Sequence, residues 1–486
     1  MKKLLIILPA LFIALIFGNY MNFFDNKKTL RVPSSVNISS DMQLILDLNS
    51  EIINIKSKDQ IMPMIYKIRA MAEANPNNQF LILYKALFSP LRNLKGIVWR
   101  FRNIVEKSQI AHLFSVSFIR KAYYSDYMYG QHVKAFLDYF VEPNLDKKEF
   151  ENVAAVQNFL HTSVVADLTD LILAVETIMR NTPADWAFPF DAFLLTGIDK
   201  NKQFFSQEKR YEKKVIKSHL NYILSSAHKV LGGIYYVVNY DLNDITAIFR
   251  ALLKKTGINN SKFNRFFRRE DLPKPITSKE LSETVLKFKK FLTLRVSKDV
   301  ANQNLQKSFD HFHKGTHYDL IGLQSVYRDS DLDLAYSYVY NPYKIYLNYD
   351  KKVESLETKL AIYKDAAEKQ SKLVTSEATG QQIEINLSAF FVAHDDLKKF
   401  FPRENNFDDK NSGYILKDSN GKSVYHNITE EKVSVWNYHY GKPLSYPNPT
   451  FGGILPKATN ANLYDLIRGL RLDDSTNGFA NILPVP

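Results

Sequence analysis

The chain has 486 residues, of which 45% are apolar, 13% aromatic and 24% charged. So large an apolar share excludes intrinsic disorder, and the length gives room for about two to four domains with ample core. Cysteine is absent, which excludes a disulfide scaffold, thiolate zinc centres, iron–sulfur clusters and a cysteine nucleophile.

Met1-Lys2-Lys3 precedes an uncharged run from Leu4 to Gly18. A basic start followed by an apolar core is the pattern of a bacterial export signal. Ile16-Phe17-Gly18 is a poor small-x-small cleavage site, and the apolar character continues through Phe24. Leu4–Phe24 approaches the ~20 residues that span a bilayer core. Residues 1–28 therefore read as a signal peptide or an uncleaved membrane anchor, which would be the route to a membrane. Basic residues flank the run on both sides (Lys2, Lys3; Lys27, Lys28, Arg31), so charge alone does not orient it. The reading taken places the body outside the inner membrane, periplasmic or anchored facing the periplasm. Avoidance of thiols suits that compartment.

Residues 29–39, with Pro33-Ser34-Ser35, read as a linker leading to a helix at Ser40. From there glycine usage divides the chain: eight glycines fall in 29–375 and eight in the much shorter 376–486. Helices exclude glycine and turns need it. The expectation is a mainly α, multi-helix body, helical-repeat-like or an irregular solenoid, followed by a small α+β tail. A break near Asp271-Leu272-Pro273-Lys274-Pro275 divides the body into 40–270 and 271–375. Charge shifts at the tail boundary as well. Residues 376–486 carry 11 basic and 13 acidic side chains, so a net +13 overall becomes +15 before the boundary and −2 after it.

Within the body, three capping-box starts are visible: Ser40 with Gln43, Ser57 with Gln60, and Thr277 with Glu280. Ala70–Asn78, followed by Leu83–Leu87, resembles a tetratricopeptide junction, in which a Pro-containing turn joins two antiparallel helices. The likeness covers about 20 residues with no copy 34 residues away, and no family is claimed on it. Val164, Leu168, Leu171, Val175 and Ile178 follow a helical stripe that Pro183 must end. Gly232-Gly233 reads as a close helix crossing or a break. Val353, Leu356, Leu360, Tyr363 and Ala367 space as a short heptad seam packing within its own domain. Six tyrosines around Asn341-Pro342 (Tyr336 to Tyr349) read as an extended segment against the body, or as a groove that stacks sugars or peptides.

In the tail, Gln381–Ser388, Tyr414–Lys417, Ser423–His426 and Val433–Tyr440 read as strands of one small antiparallel sheet. Asn420-Gly421 marks the turn of a hairpin. A short helix is expected near 461–470.

Two constellations carry chemistry. Arg250, Lys254, Lys255, Lys262, Arg265, Arg268 and Arg269 lie in a stretch without acids, interleaved with Phe263, Phe266 and Phe267. Basic and aromatic residues together suit anionic lipid headgroups or an acidic partner, and nucleic acid is set aside because of the export signal. The plain alternative is a solvated helix end. The second is His311, His313 and His317 with Asp319, which can supply ligands for a divalent ion. It is not a His-Glu-x-x-His arrangement, Gly315 interrupts it, and its plain reading is an exposed polar turn ending a helix. His394-Asp395-Asp396 can pair a base with a carboxylate, or simply open a helix with acids. No phosphate loop, dinucleotide fingerprint or nucleophile elbow is present.

The leading expectation is a non-enzymatic exported envelope scaffold or interaction protein, needing no cofactor, with a protein partner on the helical body. The alternative is an envelope hydrolase with a metal near His311, His313 and His317.

Overall fold

The computed structural model describes residues 40–104, 131–143, 146–191, 194, 213–255, 278–328, 349–375, 382–401, 403–404, 413–417, 423–427, 444–460 and 466. The export segment, the Asp271–Pro275 break, the tyrosine cluster before Tyr349 and the strand expected at 433–440 lie outside these residues.

The protein is mainly helical, as composition predicted. Helices α1 (Ser40–Ile53), α2 (Ile61–Ala74) and α3 (Gln79–Phe88) open the body. Gln60 Oε1 accepts from the Ser57 N–H at 3.1 Å, so the capping pair read from sequence does launch α2 through one tight turn. Asn75-Pro76 breaks α2 from α3, and the Asn78 side chain accepts from the N–H groups of Phe80 and Leu81. Two orphan donors at the start of α3 are thereby satisfied.

Short turns α4 (Leu91–Leu94) and α5 (Ile97–Arg100) lead on to α6 (Gln131–Val141) and α7 (Val153–Phe159). A single π turn, Leu160–Val164, joins α7 to α8 (Val165–Asn181). Helix α8 buries Ile172, Val175 and Ile178 on the predicted face and stops before Pro183. The ladder β1 (Ala187–Phe190) with β2 (Lys213–Ile216) precedes the 21-residue α9 (Lys217–Val237). Then come α10 (Ile245–Lys255), α11 (Ser278–Leu286), the 31-residue α12 (Lys298–Arg328) and α13 (Tyr349–Ala367).

Helix α9 is the common wall. Its Leu220, Leu224, Ala227 and Leu231 belong to the N-terminal core with α2, α3, α6 and α8. Its Ile234 joins a smaller core with Phe150, Val156 and Val164. Its remaining face lies antiparallel along α12.

The tail departs from the predicted sheet. Strand β4 (Gln382–Ile385) pairs with β3 (Lys372–Thr375) rather than with the later hairpin. Strands β6 (Gly413–Lys417) and β7 (Ser423–Asn427) form the expected Asn-Gly hairpin as a separate ladder. A two-residue ladder joins β5 (Arg403–Glu404) to β8 (Leu444–Ser445). The reason is burial: Ile383 and Ile385 point into a core with Leu305, Phe309 and Phe312 of α12 and Ile362, Tyr363 and Ala366 of α13. Side chains from both sides of residue 376 therefore share one core. The seam on α13 drifts from the expected positions too, because Ile362 and Ala366 are buried while Ala367 is exposed.

Among the described residues no helix is long and apolar enough to cross a membrane.

Candidate functional site

Helix α12 runs unbroken through the histidine cluster, so the expected turn at Gly315 is a correction. The helix accepts glycine there because α9 passes close by. A Cβ on Gly315 would lie 2.9 Å from Lys229 Cγ and 3.1 Å from the Ser225 carbonyl. Likewise α9 continues through Gly232, where a Cβ would meet the Phe312 ring at 2.9 Å. Of the two sequence readings of Gly232-Gly233, the close crossing holds.

The unbroken helix separates the four residues grouped as metal ligands. At about 100° per residue, His311 and His313 point about 200° apart. His311 faces α9, while His313 lies flat on Tyr363 of α13, with ring centroids 5.5 Å apart. His317 is exposed. Asp319 accepts from Ser225 and ion-pairs with Lys229. Among the described residues no three His, Asp or Glu side chains are placed to share a metal ion.

What the structure assembles instead is a ring stack across the α9–α12 seam. His228 and His311 share a hydrogen bond between their Nδ1 atoms at 2.9 Å. Tyr318 stacks on His228 and Tyr235 stacks on His311, each with centroids 5.5 Å apart and planes within 9°. His228 Nε2 is buried and meets no partner among the described residues. A buried bare acceptor costs less than a buried orphan N–H. We therefore assign the shared proton to His228 Nδ1, which leaves His311 to carry its proton on Nε2. Burial drives both imidazoles toward the neutral form. For His228, with His311 and Lys314 adding to burial, the pKa is pushed down to about 3. For His311 it is pushed down to about 4, by burial and then Lys314 and Lys307.

This arrangement has a sequence signature that the linear reading missed. Asn221, Ser225, His228, Gly232 and Tyr235 space as 4, 3, 4, 3, and so do Asn304, Ser308, His311, Gly315 and Tyr318. The same five residue types thus occur twice, 83 residues apart. The spacing is that of a helix seam, and because the helices run antiparallel the two copies meet about a local two-fold axis. Histidine meets histidine, each tyrosine covers the other copy's histidine, and each glycine lies where the other helix crosses. The symmetry breaks at one position. Asn304 donates to Asn239 Oδ1 at 2.9 Å. The position equivalent to Asn239 in the second copy is Gly322, which packs against Asn221 but offers no side-chain acceptor. A search for a 34-residue period passes over a pair of helices repeated at 83.

Both ends of the stack reach α8 and its π turn. Tyr318 donates to Glu176 at 3.1 Å, and burial, then the Glu176 charge and that hydrogen bond, push the tyrosine pKa up to about 12. At the other end the exposed His161, carried on the π turn, meets Tyr235 edge-on at 5.9 Å. Lys307 Nζ lies 5.4 Å from the Tyr235 centroid. Arg295 donates from Nε and Nη2 to the Val238 carbonyl and from Nη1 to Asn158.

Of the basic stretch, Arg250 and Lys254 are described. Both lie on α10, whose Ile248 and Leu252 are buried against α11 and Phe291. Arg250 is half-buried, with Nε unpartnered among the described residues, and Lys254 is exposed. The Lys255 side chain and all of Lys262, Arg265, Arg268 and Arg269 lie outside the described residues. In the tail, His394 packs edge-on to Phe400, while Asp396 caps the next turn by accepting from the Lys398 N–H at 2.8 Å. That places Asp396 at a turn start, while Asp395 lies within electrostatic reach of the imidazole.

No family model, no curated protein and no solved structure matches this chain.

Proposed function

We propose that this chain is a non-enzymatic, exported protein of the bacterial envelope whose helical body binds an anionic surface. The observation that carries this reading is the uneven charge: +15 before residue 376 and −2 after it, with no acid between Arg250 and Arg269. Positive charge gathered on one part of an exported chain favours anionic headgroups by about 1 kcal/mol per basic residue near the surface. Support for the hydrolase alternative is weakened by the divergence of His311, His313, His317 and Asp319 along α12.

Vesicle flotation tests the proposal. The full chain is expected to float with phosphatidylglycerol vesicles and not with phosphatidylcholine, and to release as salt rises. Replacing Arg265, Arg268 and Arg269 with Ala should weaken binding roughly a hundredfold, following about 3 kcal/mol for three charges. Absent or salt-independent association would sink it. Fusion of residues 1–39 to a reporter active only outside the cytoplasm tests export separately.

A further inference from the structure

The mouth of the ring stack gathers side chains from four elements. His161 comes from the π turn after α7, Tyr235 from α9, Arg295 from the segment before α12, and Lys307 from α12 itself. Arg295 is half-buried, and burial holds its guanidinium below its ordinary pKa. Its hydrogen bonds go only to the neutral oxygens of Val238 and Asn158. Asp241 offsets part of the cost of burying that charge, raising the Arg295 pKa, and a bound anion would offset more. Lys307 and Arg295 both act on His161, lowering its pKa after burial has done so. Asn158 and Val238, the acceptors of Arg295, lie three residues from His161 and Tyr235 on their helices, which sets the guanidinium beside both. The two acids nearby are engaged locally: Asp241 accepts from the Asn243 N–H, and Asp310 accepts from Gln306. Among the described residues neither forms an ion pair with Arg295, Lys307 or His161. The floor is fixed, because Tyr235 is held by its stack on His311. A π turn, which adds a residue to a helix and is costly without a return, sets His161 at the edge of this floor.

We propose that His161, Arg295 and Lys307 around Tyr235 form a binding site for the terminal phosphate of a phosphomonoester. An arginine, a lysine and an imidazole N–H supply three donors for the three terminal oxygens of a dianion, and a guanidinium already oriented by two acceptors presents its fork in a fixed direction. A carboxylate, with one charge and two oxygens, would leave one donor unmet. The site uses no residue of 250–269, so it stands or falls apart from the vesicle reading above.

Isothermal titration of the full chain with inorganic phosphate and with glycerol 3-phosphate tests it. Saturable binding is expected, weakened about tenfold by Lys307→Ala and by His161→Asn, and unchanged by Lys254→Ala or by loss of Arg265, Arg268 and Arg269. Because Arg295 also anchors the Val238 carbonyl, its replacement is Arg295→Lys, with urea unfolding showing that the fold is kept. Binding of the free probes supports a soluble ligand. Binding only to phosphatidic acid vesicles, and not to phosphatidylglycerol, supports a monoester headgroup. No binding of any of these probes, binding indifferent to both Lys307→Ala and His161→Asn, or equal binding of sulfate would overturn the proposal.

Discussion

Gly232 and Gly233 are neighbours with opposite roles. A methyl group on Gly232 would meet the Phe312 ring at 2.9 Å, whereas nothing lies within 4 Å of one on Gly233. Gly232→Ala is therefore expected to cost about 1–3 kcal/mol through overpacking. Gly233→Ala should stabilise by about 0.5–1 kcal/mol, the helix propensity it gains. Urea unfolding of the two variants decides this, and equal effects would refute the close crossing. The histidine pair makes a second prediction at this scale. A free histidine titrates near 6.5, while His228 and His311 are pushed down to about 3 and about 4 in the fold. Below pH 6.5 the unfolded chain binds protons that the folded chain refuses. Stability is then full above pH 6.5 and is lost as pH falls toward 4, by up to about 1.4 kcal/mol per pH unit for each histidine. His161, His313 and His394, also lowered by burial, add to the same trend. Urea midpoints between pH 7.5 and 4.5 should fall, and fall less steeply in His311→Gln. Residue-by-residue reading missed this pair, although its repeated spacing stands in the sequence. His311 was seen only with its neighbours in the chain, and the residue it bonds lies on another helix.

Elements whose signals are local were read correctly. The α2–α3 hairpin follows from Asn75-Pro76, and α8 from its apolar stripe and Pro183. Their cues lie within a few residues of the element they specify. Asn78 shows the size of one such cue: Asn78→Ala, which strips the acceptor from two N–H groups, should cost about 1 kcal/mol, measured by thermal or urea unfolding. Elements whose conformation depends on a neighbour were misread. Glycine in α12 suggested a turn, yet at Gly315 the helix keeps its path because α9 needs the space that a side chain would fill. Strand β4 alternates as predicted, but alternation does not name a partner, and the burial of Ile383 and Ile385 against α12 and α13 selects β3. The π turn at Leu160–Val164 left no visible signal, because it continues the helical stripe with one residue added.

For the whole molecule, the core shared by α12, α13 and the tail implies that the body does not close without residues after 376. A chain ending at Thr375 would lose Ile383, Ile385, Leu387, Phe391 and Leu455 from around Phe309, Phe312 and Tyr363. It is expected to be protease-sensitive and to lack a cooperative unfolding transition in that half, by limited proteolysis and circular dichroism. A soluble, cooperatively folding fragment would contradict the shared core. The sequence by itself determined the helical class, the hairpins and helix ends marked by proline, asparagine and glycine, and the uneven charge that motivates the proposed anionic surface. These depend on composition and on residues near one another in the chain. Only the tertiary structure decided which faces meet. It sent His311, His313, His317 and Asp319 in different directions, and it brought two like helices 83 residues apart into a two-fold seam. It also gathered His161, Arg295 and Lys307 around one tyrosine. The physical reason is that side-chain direction repeats every 3.6 residues while partners are chosen by packing. Residues close in sequence can therefore part, and residues far apart can share a site.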